Sequence, residues 1–171
     1  MSFLDLARER YSCRKFSDKP VEAEKLEKIL QAAILAPTAK NAQPVKIWLI
    51  QSDAALEKLR DAVKFHFGSR NIIVVGANPE ANPFVRPSDG KNFCEIDASI
   101  VATHIMLEIH DLGLASTWVG FFDEPKLKNL FPEMQAYELV AIFPIGYPAE
   151  DAKPSERHTV RKPESEFVQR L

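Results

Sequence analysis

The chain has 171 residues, of which 46% are hydrophobic and 27% are charged, a composition typical of one globular domain that buries most of its apolar surface. Its 22 Lys and Arg residues nearly balance 24 Asp and Glu residues and leave a formal charge of -2. This balance excludes a global positive field, so we expect no nucleic-acid partner and no membrane partner, and we expect any anion site to be local.

The start of the chain, Met1-Ser2-Phe3-Leu4-Asp5, lacks a basic region followed by an apolar core, and no later apolar run reaches membrane-spanning length. We therefore predict a cytoplasmic protein. Cys13 and Cys94 lie far apart and match no metal or redox spacing, which favours two reduced thiols over a disulfide.

Apolar periodicity and turn residues predict the elements of the fold in chain order. Helices are expected at residues 3–10, 22–35, 54–63, 95–112 and 124–130. Strands are expected at residues 45–50, 72–75, 115–119 and 139–145. Helices and strands alternate imperfectly, which indicates an α+β class. Glycines of the kind that a dinucleotide-binding Rossmann fold requires do not follow the strand at 72–75.

The helix at 95–112 differs from the others because its apolar residues occupy nearly all of its sides. They are Ile96, Ile100, Val101, Ile105, Met106, Leu107 and Ile109. Such a helix must be buried nearly all round, and a small domain has little interior in which to bury it. Part of its surface is therefore expected to contact a second copy of the chain, the alternative being the central helix of a monomer.

The last segment, from Pro148 to Leu171, is polar and cannot build a core of its own. Its few apolar residues are Val160, Phe167, Val168 and Leu171. Two interpretations stay open, a disordered tail or an arm that packs across another subunit.

Two polar segments are candidates for ligand binding. Arg10-Tyr11-Ser12-Cys13-Arg14 offers two guanidinium groups around a hydroxyl, a donor set suited to a phosphate monoester. The loop at 37–44 carries a hydroxyl and two side-chain amides, which suit the edge of a planar heterocycle. An ordinary turn whose side chains bond their own backbone is the alternative for this loop.

Five motifs in order resemble the FMN-dependent nitroreductase family. They are Arg-x-Ser-x-Arg at 10–14, Ala-Pro-Thr-x-x-Asn-x-Gln-Pro at 36–44, Gly-Leu-Ala-Ser-Thr-Trp-Val-Gly at 113–120, Ile-Gly-Tyr-Pro at 145–148 and Arg-Lys-Pro at 161–163. The resemblance implies a single FMN-binding domain over 1–171, with a mixed β-sheet flanked by helices. It also implies a short, homodimeric type with FMN at the subunit interface and residues 149–171 as an arm on the partner.

The resemblance further implies ten cofactor-binding residues. Those expected at the phosphate are Arg10, Ser12, Arg14 and Arg161. Those expected along the flavin ring and the ribityl chain are Pro37, Thr38, Asn41 and Gln43. Those expected beside the isoalloxazine are Val119 and Gly120, where a backbone N–H faces the flavin N5.

The function implied is an NAD(P)H oxidoreductase that passes two electrons by a ping-pong mechanism to a nitroaromatic, a quinone or a similar organic acceptor. Because FMN carries the chemistry, we expect no catalytic side chain; Arg14 or Lys40 could stabilise negative charge on the reduced ring. His104 and Glu108 lie one helical turn apart, but a metal site needs three or four ligands, so we predict no metal. The alternatives are a flavin-binding protein without turnover, serving as an FMN store or sensor, and a dehalogenase-type enzyme on the same scaffold.

Some residues depart from the family pattern or fall outside it. Thr38 replaces a more usual Ser, and Val45 stands where the family often has an aromatic residue. Trp118 is expected to fill the core at least as readily as it stacks on a flavin. The region 78–93 matches no motif and is expected to lie over the reactive face of the cofactor.

Overall fold

Four strands form one sheet at the centre of the computed structural model, which describes residues 2–171. Met1, which the predicted domain includes, lies outside the described residues. The strands are β1 (Val45–Ile50), β2 (Asn71–Ala77), β3 (Ala115–Ser116) and β4 (Glu138–Gly146), in the order β1-β2-β4-β3. All three strand pairings are antiparallel. The one parallel pairing in the described chain is an isolated bridge between Ser12 and Ser116.

Residues 2–171 also form six α-helices. They are α1 (Phe3–Glu9), α2 (Ala23–Leu35), α3 (Asp53–Ala62), α4 (Cys94–Asp111), α5 (Glu124–Leu130) and α6 (Glu164–Phe167). Short 3-10 turns occur at Ala39–Asn41, Pro132–Met134 and Glu156–Thr159. The five helices expected from periodicity are confirmed to within one residue at each end, whereas α6 and the 3-10 turns are too short to leave a periodic signal.

Local chemistry explains where several helices begin and end. Ser52 caps α3 by accepting the N–H of Ala55 at 3.3 Å, and Asp123 caps α5 in the same way, which satisfies N–H groups that have no partner inside the helix. α2 ends at Leu35 because the next residue, Ala36, precedes Pro37 and is held in an extended conformation.

β2 is the centre of the sheet and is buried on both faces. Successive side chains of a strand point to opposite faces, so Ile73 and Val75 join a core with α2 and α4, while Ile72 and Val74 join a core with α3 and α5. The predicted strand at 115–119 is shorter than expected. Only its first two residues pair along β4, and the chain returns to β4 at Val119, which bridges Ile142.

α4 lies against the sheet with one side only. The buried residues on this side are Cys94, Asp97, Ala98, Val101, Ala102, Ile105 and Ile109. The apolar residues that stay partly exposed are Ile96, Ile100, Met106 and Leu107. A cavity of about 450 Å³ opens on this outer side. The expected all-round burial of the helix is therefore not reached within a single chain.

The C-terminal segment divides into two parts. Ala149 donates its N–H to the carbonyl of Lys15 at 3.1 Å, and the ring of His158 meets the edge of Tyr11 at 6.3 Å, so the first part packs on the N-terminal segment of its own chain. Residues 159–171 are all exposed. Within residues 2–171, no helix is long and apolar enough to cross a membrane.

Gly76 is predicted to tolerate no side chain. A Cβ at this position would lie 2.9 Å from the Glu138 carbonyl oxygen and 2.9 Å from Leu139 Cδ2, at the bulge where β2 shifts register against β4. We expect Gly76→Ala to lower the free energy of unfolding by about 1–3 kcal/mol through overpacking, measured by urea denaturation. The matched control is Gly120→Ala, whose Cβ would meet nothing within 4 Å; equal stability of the two variants would contradict this account.

Candidate functional site

The segment after α1 is fixed to the edge of the sheet. α1 ends where the N–H of Arg10 donates to the carbonyl of Leu6 at 3.0 Å. Two residues further on, Ser12 bridges Ser116 of β3, and the N–H of Cys13 donates to the Ser116 carbonyl at 2.9 Å. This pairing places the predicted phosphate-binding motif at 10–14 on a rigid element rather than in a free loop.

Arg10 and Arg161 lie near the two ends of the chain, and the fold places them close enough for their charges to interact. The pKa of Arg10 is lowered first by its partial burial and then by the positive charge of Arg161. Neither guanidinium forms an ion pair with a carboxylate of residues 2–171. Arg161 instead donates to the carbonyls of His158 and Val160, at 2.7 and 2.8 Å. Two cations whose charges interact and that have no carboxylate partner are the arrangement expected of a local anion site.

Arg14 lies at a second part of the site, a cavity of about 280 Å³. The cavity is lined by Arg14, Phe65, Phe67, Thr117, Trp118, Val119, Gly120 and Phe121. Three of the predicted cofactor residues therefore share one cavity, although they are distant in sequence. Its wall is aromatic: the ring of Phe65 lies 5.9 Å from the rings of both Phe67 and Phe121.

The two residues expected to direct a backbone N–H at the flavin differ in the structure. Val119 donates its N–H to Ile142 at 2.9 Å and accepts the N–H of Ile142 at 3.0 Å, so its N–H is already used within the sheet. Gly120 is exposed, and its N–H takes part in no backbone hydrogen bond of the described residues. Of these two backbone N–H groups, the one that stays available at this cavity is therefore that of Gly120.

The predicted loop at 37–44 has an unusual backbone. Lys40, Asn41 and Gln43 have φ angles of 53°, 54° and 51°, a left-handed region that residues other than glycine seldom adopt. The hydroxyl of Thr38 accepts the N–H of Gln43 at 3.0 Å and closes the loop on itself. Pro37, Asn41 and Gln43 are exposed.

A buried carboxylate that sequence reasoning missed ties this loop to α4. Asp97 accepts the N–H of Ala39 at 2.9 Å and is 0% exposed. The signal that could have found it is that Asp97 is an acidic residue on the same side of α4 as apolar residues such as Val101 and Ile105. Its position places the loop at the N-terminal end of α4.

Arg10 lies at the opposite end of the same helix. It lines a small cavity of about 120 Å³ together with His110, whose pKa is lowered first by burial and also by the charge of Arg10. Asp97 and His110 are thirteen residues apart on α4, which at about 1.5 Å per residue separates them by about 20 Å. Within one chain, the loop and the arginines thus form two separate half-sites.

The region at 78–93 packs beside the loop. The N–H of Asn78 donates to the carbonyl of Pro44 at 2.9 Å, and the Nζ of Lys40 lies 4.9 Å from the centre of the Phe84 ring. Phe84 and Phe93 pair edge to face at the base of a hairpin. The hairpin therefore holds Lys40, one of the two cations considered for the cofactor ring.

Two further residues considered as functional, Trp118 and Cys94, pack against the core of the protein. Trp118 packs its edge on Phe143 at 5.4 Å and contacts the main core, in addition to lining the cavity with Arg14. Burial, followed by the negative charges of nearby carboxylates, raises the pKa of Cys94 to about 11, so its thiol is unreactive at neutral pH. No cluster of three metal-ligating side chains occurs within residues 2–171.

Comparisons with known proteins agree on one family. A sequence model described as the nitroreductase family matches residues 7–67 and 64–147. A relative from Archaeoglobus fulgidus, provisionally named NADH dehydrogenase/NAD(P)H nitroreductase, is 32% identical over 151 residues, which are 83% of each chain.

Solved structures give the same result. A nitroreductase family protein of Clostridium difficile is 39% identical with a TM-score of 0.91, over 99% of this chain and 98% of that one. One from Clostridium novyi is 30% identical with a TM-score of 0.79, over 88% and 87%. A second Clostridium difficile structure, described as an FMN-dependent nitroreductase, is 27% identical with a TM-score of 0.75, over 94% and 98%.

Proposed function

Because the chain belongs to the nitroreductase family, we propose that it is an FMN-dependent oxidoreductase that passes two electrons from NADH or NADPH to a nitroaromatic, a quinone or a similar organic acceptor. The observation that carries this proposal is the meeting of Arg14 and Gly120 at one cavity. Arg14 and Gly120, whose backbone N–H forms no backbone hydrogen bond in the described residues, line the same space, and aromatic rings line it with them. Bound FMN supplies the electron chemistry, and the protein supplies position, charge and a shaped pocket.

The charges at the half-site that contains Arg10 and Arg161 fit a phosphate monoester. Such a group carries about 1.5–2 negative charges at neutral pH and accepts several hydrogen bonds. Arg10 and Arg161 offer guanidinium donors that pair with no carboxylate of residues 2–171, and Ser12, two residues after Arg10, is fixed by its bridge to β3. A bound phosphate would offset the repulsion between the two arginines.

The cavity also fits planar acceptors. Phe121 is 75% exposed, and its contact with Phe65 presents aromatic surface to any molecule that enters. Aromatic rings favour stacked or edge-to-face contact with other rings. The same open cavity would receive the nicotinamide and then the acceptor, which is the arrangement that a ping-pong mechanism requires.

The separation of the two half-sites supports a homodimer. One FMN cannot contact both ends of α4 within a single chain, because they are about 20 Å apart. A two-fold axis across the outer side of α4 would pair the N-terminal end of one helix with the C-terminal end of its partner. This surface is suitable, because Ile96 and Ile100 are partly exposed beside a cavity of about 450 Å³. Each FMN would then take the loop at 37–43 from one chain and Arg10, Ser12 and Arg14 from the other.

The first prediction is flavin reduction by a nicotinamide. The purified protein, supplied with FMN, should show a flavin absorbance spectrum that bleaches when NADH or NADPH is added without oxygen. Subsequent addition of a quinone or nitroaromatic should restore the spectrum. A flavin spectrum that persists would favour an FMN store or sensor, and a chain that binds no FMN would refute the proposed function.

The second prediction concerns the phosphate. Arg10→Ala and Arg161→Ala should each weaken FMN binding by about 1.5–3 kcal/mol, because each removes a charge-assisted hydrogen bond. Fluorescence titration of FMN measures the change. Arg8→Ala is the matched control, since Arg8 lies on α1 two residues before Arg10, is exposed, and within residues 2–171 forms its ion pair with Asp5. Unchanged affinity in both variants would contradict the phosphate assignment.

The third prediction concerns the dimer. Sedimentation should show a dimer for the wild-type chain, and Ile100→Glu should give a monomer with lost FMN binding, because it places a charge on the outer side of α4. Lys58→Glu, exposed on α3 on the other face of the sheet, is the control and should remain dimeric. A wild-type monomer that holds FMN would rule out the shared site.

A further inference from the structure

Asp97 is a buried carboxylate with only half of its hydrogen-bonding capacity used. Its side chain is 0% exposed within α4. One oxygen, Oδ1, accepts the N–H of Ala39 at 2.9 Å. The other, Oδ2, is buried and has no hydrogen-bond partner among the described residues. Among the described residues the carboxylate therefore makes a single hydrogen bond, and that bond is with the loop.

The helix itself does not explain why this residue is buried. An acidic residue in the first turn of a helix stabilises it by interacting with the helix dipole, but Glu95 in the same turn provides such a charge while it stays exposed. A carboxylate oxygen buried without a donor is destabilising, and an apolar side chain would pack in the same place without that cost. The contact with Ala39 is what an apolar residue could not supply.

The loop that receives this contact is strained. A residue other than glycine in the left-handed region costs about 1–3 kcal/mol and persists only where its surroundings fix it. Three such residues, Lys40, Asn41 and Gln43, occur among the four that follow Ala39. Inside the loop, the Thr38 hydroxyl holds Gln43, whereas Asp97 is the contact that holds the start of the loop to a rigid helix.

We propose that Asp97 is a positioning residue that holds Lys40, Asn41 and Gln43 in their left-handed conformations before FMN binds. The inference rests on the proposed function, because the loop supplies the predicted contacts to the flavin ring. Without Asp97 the loop samples other conformations, and binding must restore the one that fits, which lowers affinity. Asp97 acts through the loop and touches neither FMN nor a substrate.

Amide hydrogen exchange of the full chain before FMN is added tests the contact itself. We expect Asp97→Ala to speed exchange at the Ala39 amide by about tenfold or more, because this N–H loses its hydrogen bond to a charged group. Asp97→Asn should retain protection, because its amide oxygen can accept the same N–H. Glu95→Gln is the matched control for the lost helix charge and should leave this amide protected. Equal protection of the Ala39 amide in Asp97→Ala and the wild type would overturn the proposal.

FMN titration of double variants tests the role of strain. Asp97→Ala should weaken FMN binding by about 10- to 100-fold. In that background Lys40→Gly removes both the side chain and the left-handed strain at position 40, whereas Lys40→Ala removes the side chain only. We expect Lys40→Gly to restore most of the affinity and Lys40→Ala to restore none. Equal affinities of the two double variants would overturn the strain argument.

The two experiments separate this inference from the proposed function. A wild-type chain that binds no FMN would refute the proposed function, and amide exchange would then decide the role of Asp97 by itself. A wild-type chain that binds FMN, with Asp97→Ala binding equally well, would refute the inference and leave the proposed function standing.

Discussion

The packing of α4 against β2 and β4 is the constraint on which the rest of the structure depends. The contact is made by fully buried side chains such as Ile105, Ile109 and Phe143, whose burial contributes about 1.5–3 kcal/mol each. Because the helix is held along its length, its two ends are fixed relative to the sheet. The loop with Ala39 is attached at one end and Arg10 lies at the other, so the distance between the half-sites is a property of the core.

A chain with almost no net charge can still offer a local site for an anion where two of its cations interact. Arg10 and Arg161 come from opposite ends of the sequence, and the C-terminal segment reaches the N-terminal one through contacts such as that of His158 with Tyr11. Covering part of Arg10 strengthens its electrostatic interactions, since a lower local dielectric screens charge less than water does. Local placement therefore matters more here than the formal charge of -2.

Much of the fold could be predicted from the sequence, because helices and strands leave local periodic patterns. The helices α2 to α5 and the strand β1 follow directly from such patterns, and the nitroreductase-like α+β fold is confirmed by likeness to solved structures. Features that depend on distant residues could not be predicted. Val119 donates its N–H to Ile142 and Gly120 does not, a difference that depends on strand pairing. The sequence around Asp97 likewise does not indicate that its partner is Ala39. The cofactor roles of the ten residues stay predictions.

Because the two half-sites lie at opposite ends of one helix, two defective variants of this chain are expected to complement each other. In the dimer that we propose, each site draws its loop from one chain and its arginines from the other. A chain damaged only in its loop and a chain damaged only in its arginines would assemble into a mixed pair in which one site has lost both halves and the other has kept both. Two inactive variants expressed together would in this way complement each other, with half of the sites in each mixed pair intact.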